Sequence, residues 1–116
     1  MINGLHVVIY STDAEKDREF FKNVLKFPNV DVGDGWLIFA APPAEMAFHP
    51  ATEGGKQEAH LMCDDVEAQV ESLTEAGCAC APIVDEGWGL RTSFTLPGGG
   101  AIGLYEARHD RPPQGN

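Results

Sequence analysis

Two histidines and a glutamate in this sequence could hold one divalent metal ion. His6 sits in the apolar run Leu5–Tyr10, LHVVIY, and His60 sits in Ala59–Cys63, AHLMC. Glu106 ends the run Ala101–Glu106, AIGLYE, just after three glycines. Two imidazoles and one carboxylate held on one side of an ion suit Fe, Mn, Ni, Co or Zn and leave positions open for a ligand. His49, in Glu45–His49, EMAFH, is a fourth potential donor, and Pro50 follows it at once. Each of these side chains also has an ordinary structural reading. A strand-end glutamate can reach water, and a lone histidine is more often packing than ligand.

The elements that would position them fall into a repeated order. Leu5–Tyr10 reads as a strand, with His6, Val8 and Tyr10 on one face and Leu5, Val7 and Ile9 on the other. Thr12–Glu15 forms a capping box ahead of a helix expected to run to about Lys26. Its stripe is Phe20, Phe21, Val24 and Leu25, and Pro28 stops it. Val30–Val32, the turn Gly33-Asp34-Gly35, Trp36–Ala40 and Glu45–His49 complete a β-α-β-β-β series. Trp36 reads as core.

After the polar linker Thr52–Lys56 the series restarts. Ala59–Cys63 is a strand. Asp64 or Asp65 caps a helix over Val66–Ala76, striped by Val66, Val70 and Leu73 and closed by Gly77. Ala79–Val84, with Pro82, reads as a strand at an edge or a bulge. Leu90–Leu96 and Ala101–Glu106 follow. The expected fold is α+β. Two tandem βαβββ modules, about residues 2–51 and 57–108, form one curved mixed sheet around a cleft, with the helices outside and a tail at 109–116. The whole chain reads as one domain.

The repeat gives the four donors matched places. His6 and His60 begin the first strand of each module, and His49 and Glu106 end the last. In the first module Val7 and Ile9 take the helix side while His6 takes the cleft. In the second, Leu61 and Cys63 take the helix side while His60 takes the cleft. On the last strand, Ile102, Leu104 and Glu106 share a face. A carboxylate on an otherwise apolar face is costly unless something pairs it. Tyr10 shares the face of His6 and could donate a hydrogen bond to a bound oxygen or simply pack. Trp88, flanked by glycines, could form a lid or wall of the cleft. His109 reads as solvated.

The doubled βαβββ order, the strand-borne His6 and His60, and the closing GLYE of residues 103–106 together resemble the vicinal oxygen chelate superfamily. That group includes glyoxalase I, extradiol dioxygenases, fosfomycin-resistance transferases and bleomycin-binding proteins, and the similarity covers about residues 2–108. It implies a metal held by the first strand of each module and the last strand of the second, and it implies a homodimer. The resemblance implies an enzyme whose metal binds adjacent oxygens of a small substrate in bidentate fashion, with Glu106 as a ligand able to act as a base. The rival reading is a bleomycin-resistance-like protein that sequesters a small cationic drug in a dimer groove without catalysis. His49 stands where glyoxalase I has a carboxylate.

Bulk properties narrow the classes further. A net charge of −10 with eight Lys plus Arg argues against nucleic acid, whose phosphates need clustered cations. The same charge suits a cationic ligand or metal, or serves solubility. No apolar run approaches the ~18 residues of a membrane span. The first ten residues lack a basic n-region, so the expected location is the cytoplasm. Cys63, Cys78 and Cys80 match no zinc ribbon or disulfide framework and read as buried small side chains.

Overall fold

The computed structural model describes residues 1, 3 and 5–113. Its centre is a four-stranded sheet in the second half of the chain. The strands are β3 (His60–Met62), β4 (Val84–Asp85), β5 (Gly89–Thr95) and β6 (Ala101–Ala107), in the spatial order β3-β6-β5-β4. β3 runs parallel to β6, and the other pairs are antiparallel. The crossover from β3 carries helix α2 (Val66–Glu75). Asp65 caps α2 by accepting from the Ala68 amide, and Gly77 turns the chain out of it at φ 92°. This half keeps the expected β-α-β-β-β order. The Pro82 strand shortens to an isolated bridge at Cys80 and the two residues of β4.

One face of the sheet carries the core. Phe94, Ile102 and Leu104 from the strands meet Val66 and Leu73 of α2. Helix α1 (Ala14–Asn23) lies on the same core and inserts Phe20, whose ring stands 6.2 Å from that of Phe94. Asp13, one residue inside the expected capping box, is the residue that caps α1, accepting from the Lys16 amide. The start of α1 is also tied to the β5–β6 turn. Thr12 donates to the Gly98 carbonyl at 2.7 Å, and the Gly98 amide donates to Asp17 at 2.7 Å.

The first half does not close on itself. β1 (Asn29–Asp31) and β2 (Leu37–Phe39) make a two-stranded hairpin through the Gly33-Asp34-Gly35 turn, where all three residues have positive φ. Residues 5–10 and 45–49, both expected as strands, adopt no regular secondary structure. The expected single curved sheet is therefore two separate sheets. The cause is local: α1 gives its apolar stripe to the core beneath the second-half sheet, and an isolated two-stranded ribbon offers little surface to recruit further strands. Trp36, expected in the core, is 59% exposed and packs under the Arg18 guanidinium at 4.6 Å, a cation–π contact.

Candidate functional site

Pairing register decides which side chains can meet. His60 lies opposite Gly103, Leu61 opposite Leu104, and Met62 opposite Tyr105. Leu104 is in the core, so Leu61 faces the core. By alternation His60, Met62, Gly103 and Tyr105 face the other way. On β5, Arg91 lies opposite Tyr105 and Ser93 opposite Gly103. The outer face of the sheet is thus floored by small residues, Gly103, Ser93 and Gly89, with larger groups rising around them.

Tyr105 is the hub of that face. The His60 ring is 6.1 Å from it, the Trp88 ring 5.2 Å and the His109 ring 5.9 Å, the first two edge-on. Its hydroxyl is 3.2 Å from His109 Nε2. Burial pushes the Tyr105 phenol above its ordinary range, and the nearby Glu45 carboxylate adds to this. Glu45 accepts from Arg111, tying residues 45–49 to the tail beside Tyr105. His60 Nε2 is 3.3 Å from Glu58. Lys56, and then His60, hold the Glu58 carboxyl below the usual range. Trp88 is anchored as its carbonyl accepts from the Arg108 amide at 2.8 Å, and Arg108 in turn pairs with Asp85. The result is a half-exposed aromatic surface with carboxylates at its margin. Flat apolar groups can stack there, and the carboxylates at the rim are paired with Lys56 and Arg111.

Glu106 does not belong to that surface. It shares the Ile102–Leu104 face, and its Oε1 accepts from the Val66 amide at 3.0 Å. That amide begins α2, so the carboxylate neutralises an unpaired donor and sits against the positive end of the helix. This is the pairing that a carboxylate on an apolar face requires. His60 and Glu106 therefore stand on opposite faces of one sheet. His6 lies in the extended segment outside both sheets, and His49 is exposed, with Nδ1 2.7 Å from the Pro50 carbonyl. Tyr10 is 94% exposed. Of the expected site residues, only His60 and Trp88 come together, through Tyr105.

At the place on the outer face directly opposite His60, the chain has glycine. A Cβ on Gly103 would lie 2.0 Å from His60 Nδ1, so the imidazole occupies the space a side chain would need. Among the described residues, no three His, Cys, Asp or Glu side chains are grouped to hold a metal ion. The donors named from the sequence do not fit a divalent metal in this arrangement.

Sequence reasoning did not bring Tyr105, Gly103 and His109 together with His60, as the structure does. The signal was present for the first two. Ile102 and Leu104 had to face the core, which sends Gly103 and Tyr105 outward and Glu106 inward. His109, expected to be solvated, leans on Tyr105 through a tertiary contact that no periodicity announces.

The profile of the Glyoxalase/Bleomycin resistance protein/Dioxygenase superfamily matches residues 5–104. No curated protein matches the chain. An antibiotic binding protein from Streptomyces sp. CB03234 is 26% identical with a TM-score of 0.68, over 91% of this chain and 97% of that one. A glyoxalase/bleomycin resistance protein from the same organism is 27% identical with a TM-score of 0.59, over 84% and 94%. A lactoylglutathione lyase from Agrobacterium tumefaciens, 14% identical with a TM-score of 0.64 over 90% and 92%, shares the fold.

Proposed function

We propose, for a chain that belongs to the Glyoxalase/Bleomycin resistance protein/Dioxygenase superfamily, a binding role without metal: it sequesters a small aromatic, cationic antibiotic-like molecule on the Tyr105 face. The observation that carries this reading is Gly103 beneath His60. Among the described residues no three donor side chains are grouped to hold a metal ion, and the strand carboxylate Glu106 is committed to α2. What remains on the outer face is suited to stacking. Tyr105 and Trp88, with rings 5.2 Å apart, supply the stacking surface. The net charge of −10 favours the approach of a cation; Glu58 and Glu45 at the margin are each paired already, with Lys56 and Arg111. The likeness to an antibiotic binding protein adds support of the same kind.

The metal-dependent enzyme expected from the sequence rests on the repeat-matched His6 and His60, and the same experiment tests it. Bleomycin and a panel of planar cationic antibiotics are titrated into the protein while tryptophan fluorescence is followed, in a Trp36→Phe background so that Trp88 reports. Saturable quenching that survives a chelator, and that Tyr105→Ala weakens about 10-fold or more, as expected for losing a stacking anchor worth ~1.4 kcal/mol or above, upholds the binding role. Quenching that needs added divalent metal overturns it in favour of the enzyme.

A further inference from the structure

Three rings crowd Tyr105. His60 stands edge-on at 6.1 Å, Trp88 edge-on at 5.2 Å, and His109 tilted by 41° at 5.9 Å. A flat ligand that stacks on Tyr105 needs one of them to give way. Two are fixed by the sheet. His60 belongs to β3 and lies opposite Gly103 of β6. Trp88 stands just before β5, its carbonyl accepts from the Arg108 amide, and Arg108 pairs with Asp85. His109 lies past the end of β6, in neither helix nor strand, and is tied down by side chains.

The ties are specific. His109 Nδ1 is 2.8 Å from the Asp110 carbonyl, which can only accept, so Nδ1 carries the ring proton. In the neutral ring Nε2 is then the acceptor, and the Tyr105 hydroxyl donates to it at 3.2 Å. Two residues further on, Arg111 donates to Glu45, and Asp64, in the loop after β3, adds to the negative field around the guanidinium. The Glu45 side chain is 15% exposed, whereas the acidic partners in the other described ion pairs are between 31% and 60% exposed. A pair sheltered in this way is screened less than one in open water.

We propose that residues 109–111 are a strap that closes the Tyr105 face in the free protein, with His109 standing in a ligand's place and the Arg111–Glu45 pair as its latch. Opening turns the chain beyond Arg108, which stays anchored to Trp88 and Asp85, and frees the Tyr105 hydroxyl. The ligand side of this inference rests on the binding role proposed above; the closure itself does not. Because only the open form can stack a ligand, the closed population weakens the apparent affinity in proportion. The strap thereby selects ligands whose stacking and hydrogen bonding replace what His109 gives up.

The two tyrosines of the chain provide the test and its control. Tyr10 is 94% exposed. Tetranitromethane, which nitrates accessible phenols, should modify Tyr105 more slowly than Tyr10, as read by mass mapping of peptides. Arg111→Ala and His109→Ala should each speed the Tyr105 reaction about 5-fold or more and leave Tyr10 unchanged. Arg111→Lys, which keeps the charge, should stay near the wild-type rate. The charge of Arg111 favours the reactive phenolate of Tyr105, so its loss alone would slow the reaction, and an acceleration reports opening. Proflavine, a flat aromatic cation, should bind His109→Ala about 5-fold more tightly than the wild type. That substitution leaves the net charge at −10, so the gain is not general attraction of cations. A Tyr105 rate unmoved by either variant would overturn the strap, as would a faster Tyr105 with proflavine bound by variant and wild type at one affinity. Tyr105 faster in both variants, with proflavine bound by no form of the protein, would uphold the closure and defeat the binding role alone.

Discussion

The two halves of this chain differ in what they form: the second is β-α-β-β-β, and the first is a helix followed by a two-stranded hairpin. The second half closes into four strands over α2, because Phe94, Ile102 and Leu104 give it a face to bury. The first half forms a helix and a short hairpin and leaves its remaining apolar segments in water. The difference does not lie in local propensity, since Leu5–Tyr10 is as β-branched and apolar as any strand in the molecule. It lies in which half owns the core. Phe20 commits the stripe of α1 to the second-half sheet.

The contrast breaks most visibly in the core. Phe94→Ala should destabilise by about 3–5 kcal/mol through cavity formation, because Phe94 is 1% exposed. Phe48→Ala in the first half should change stability by no more than ~0.5 kcal/mol, since that ring is 91% exposed. Chemical denaturation of both variants checks this, and a comparable cost at the two sites would erase the distinction.

The seam between the halves should give the next largest effect. A Cβ on Gly98 would stand 2.6 Å from Ser11 Oγ and 2.8 Å from Asp17 Oδ2. Gly98→Ala should therefore cost about 1–3 kcal/mol as an overpacked contact, and hydrogen exchange should quicken in α1 more than in α2. Equal loosening of both helices would show that the clamp does not join the halves.

A smaller effect sharpens the role of Glu106. Glu106→Gln keeps the shape but removes a negative charge from the start of α2, which should cost about 0.3–1 kcal/mol in thermal melting. A drop in bound metal with no drop in melting temperature would return Glu106 to the role of ligand.

The smallest effect is on pH. Burial holds the Cys63 and Cys78 thiols and the Tyr105 phenol above their ordinary values. The folded state thus keeps protons that the unfolded chain releases, near pH 9 for the thiols and pH 10 for the phenol. Stability should be intact below pH 9 and fall as pH rises through that window. Tyr105→Phe should flatten the portion above pH 10, read by melting at stepped pH.

Both helices were legible in the sequence, to within a few residues at their ends, because stripe, cap and closing glycine agree within one segment. The hairpin was legible from Gly33-Asp34-Gly35, and β5 and β6 from alternation. What could not be read was allocation: nothing in Phe20 says whose sheet it will cover. On β3, His60 facing away from the core followed from alternation. Placing Glu106 with His60 ignored parity, since a residue in phase with Ile102 and Leu104 had to share their face.

The most direct test of the central claim is equilibrium binding of a planar cationic antibiotic to chelator-treated protein, repeated after adding Mn, Fe, Co, Ni or Zn. The expected result is one affinity throughout, with Gly103→Ala weakening it as the His60 ring is displaced. Binding that is absent in the chelated protein and restored by one of those metals would contradict the account.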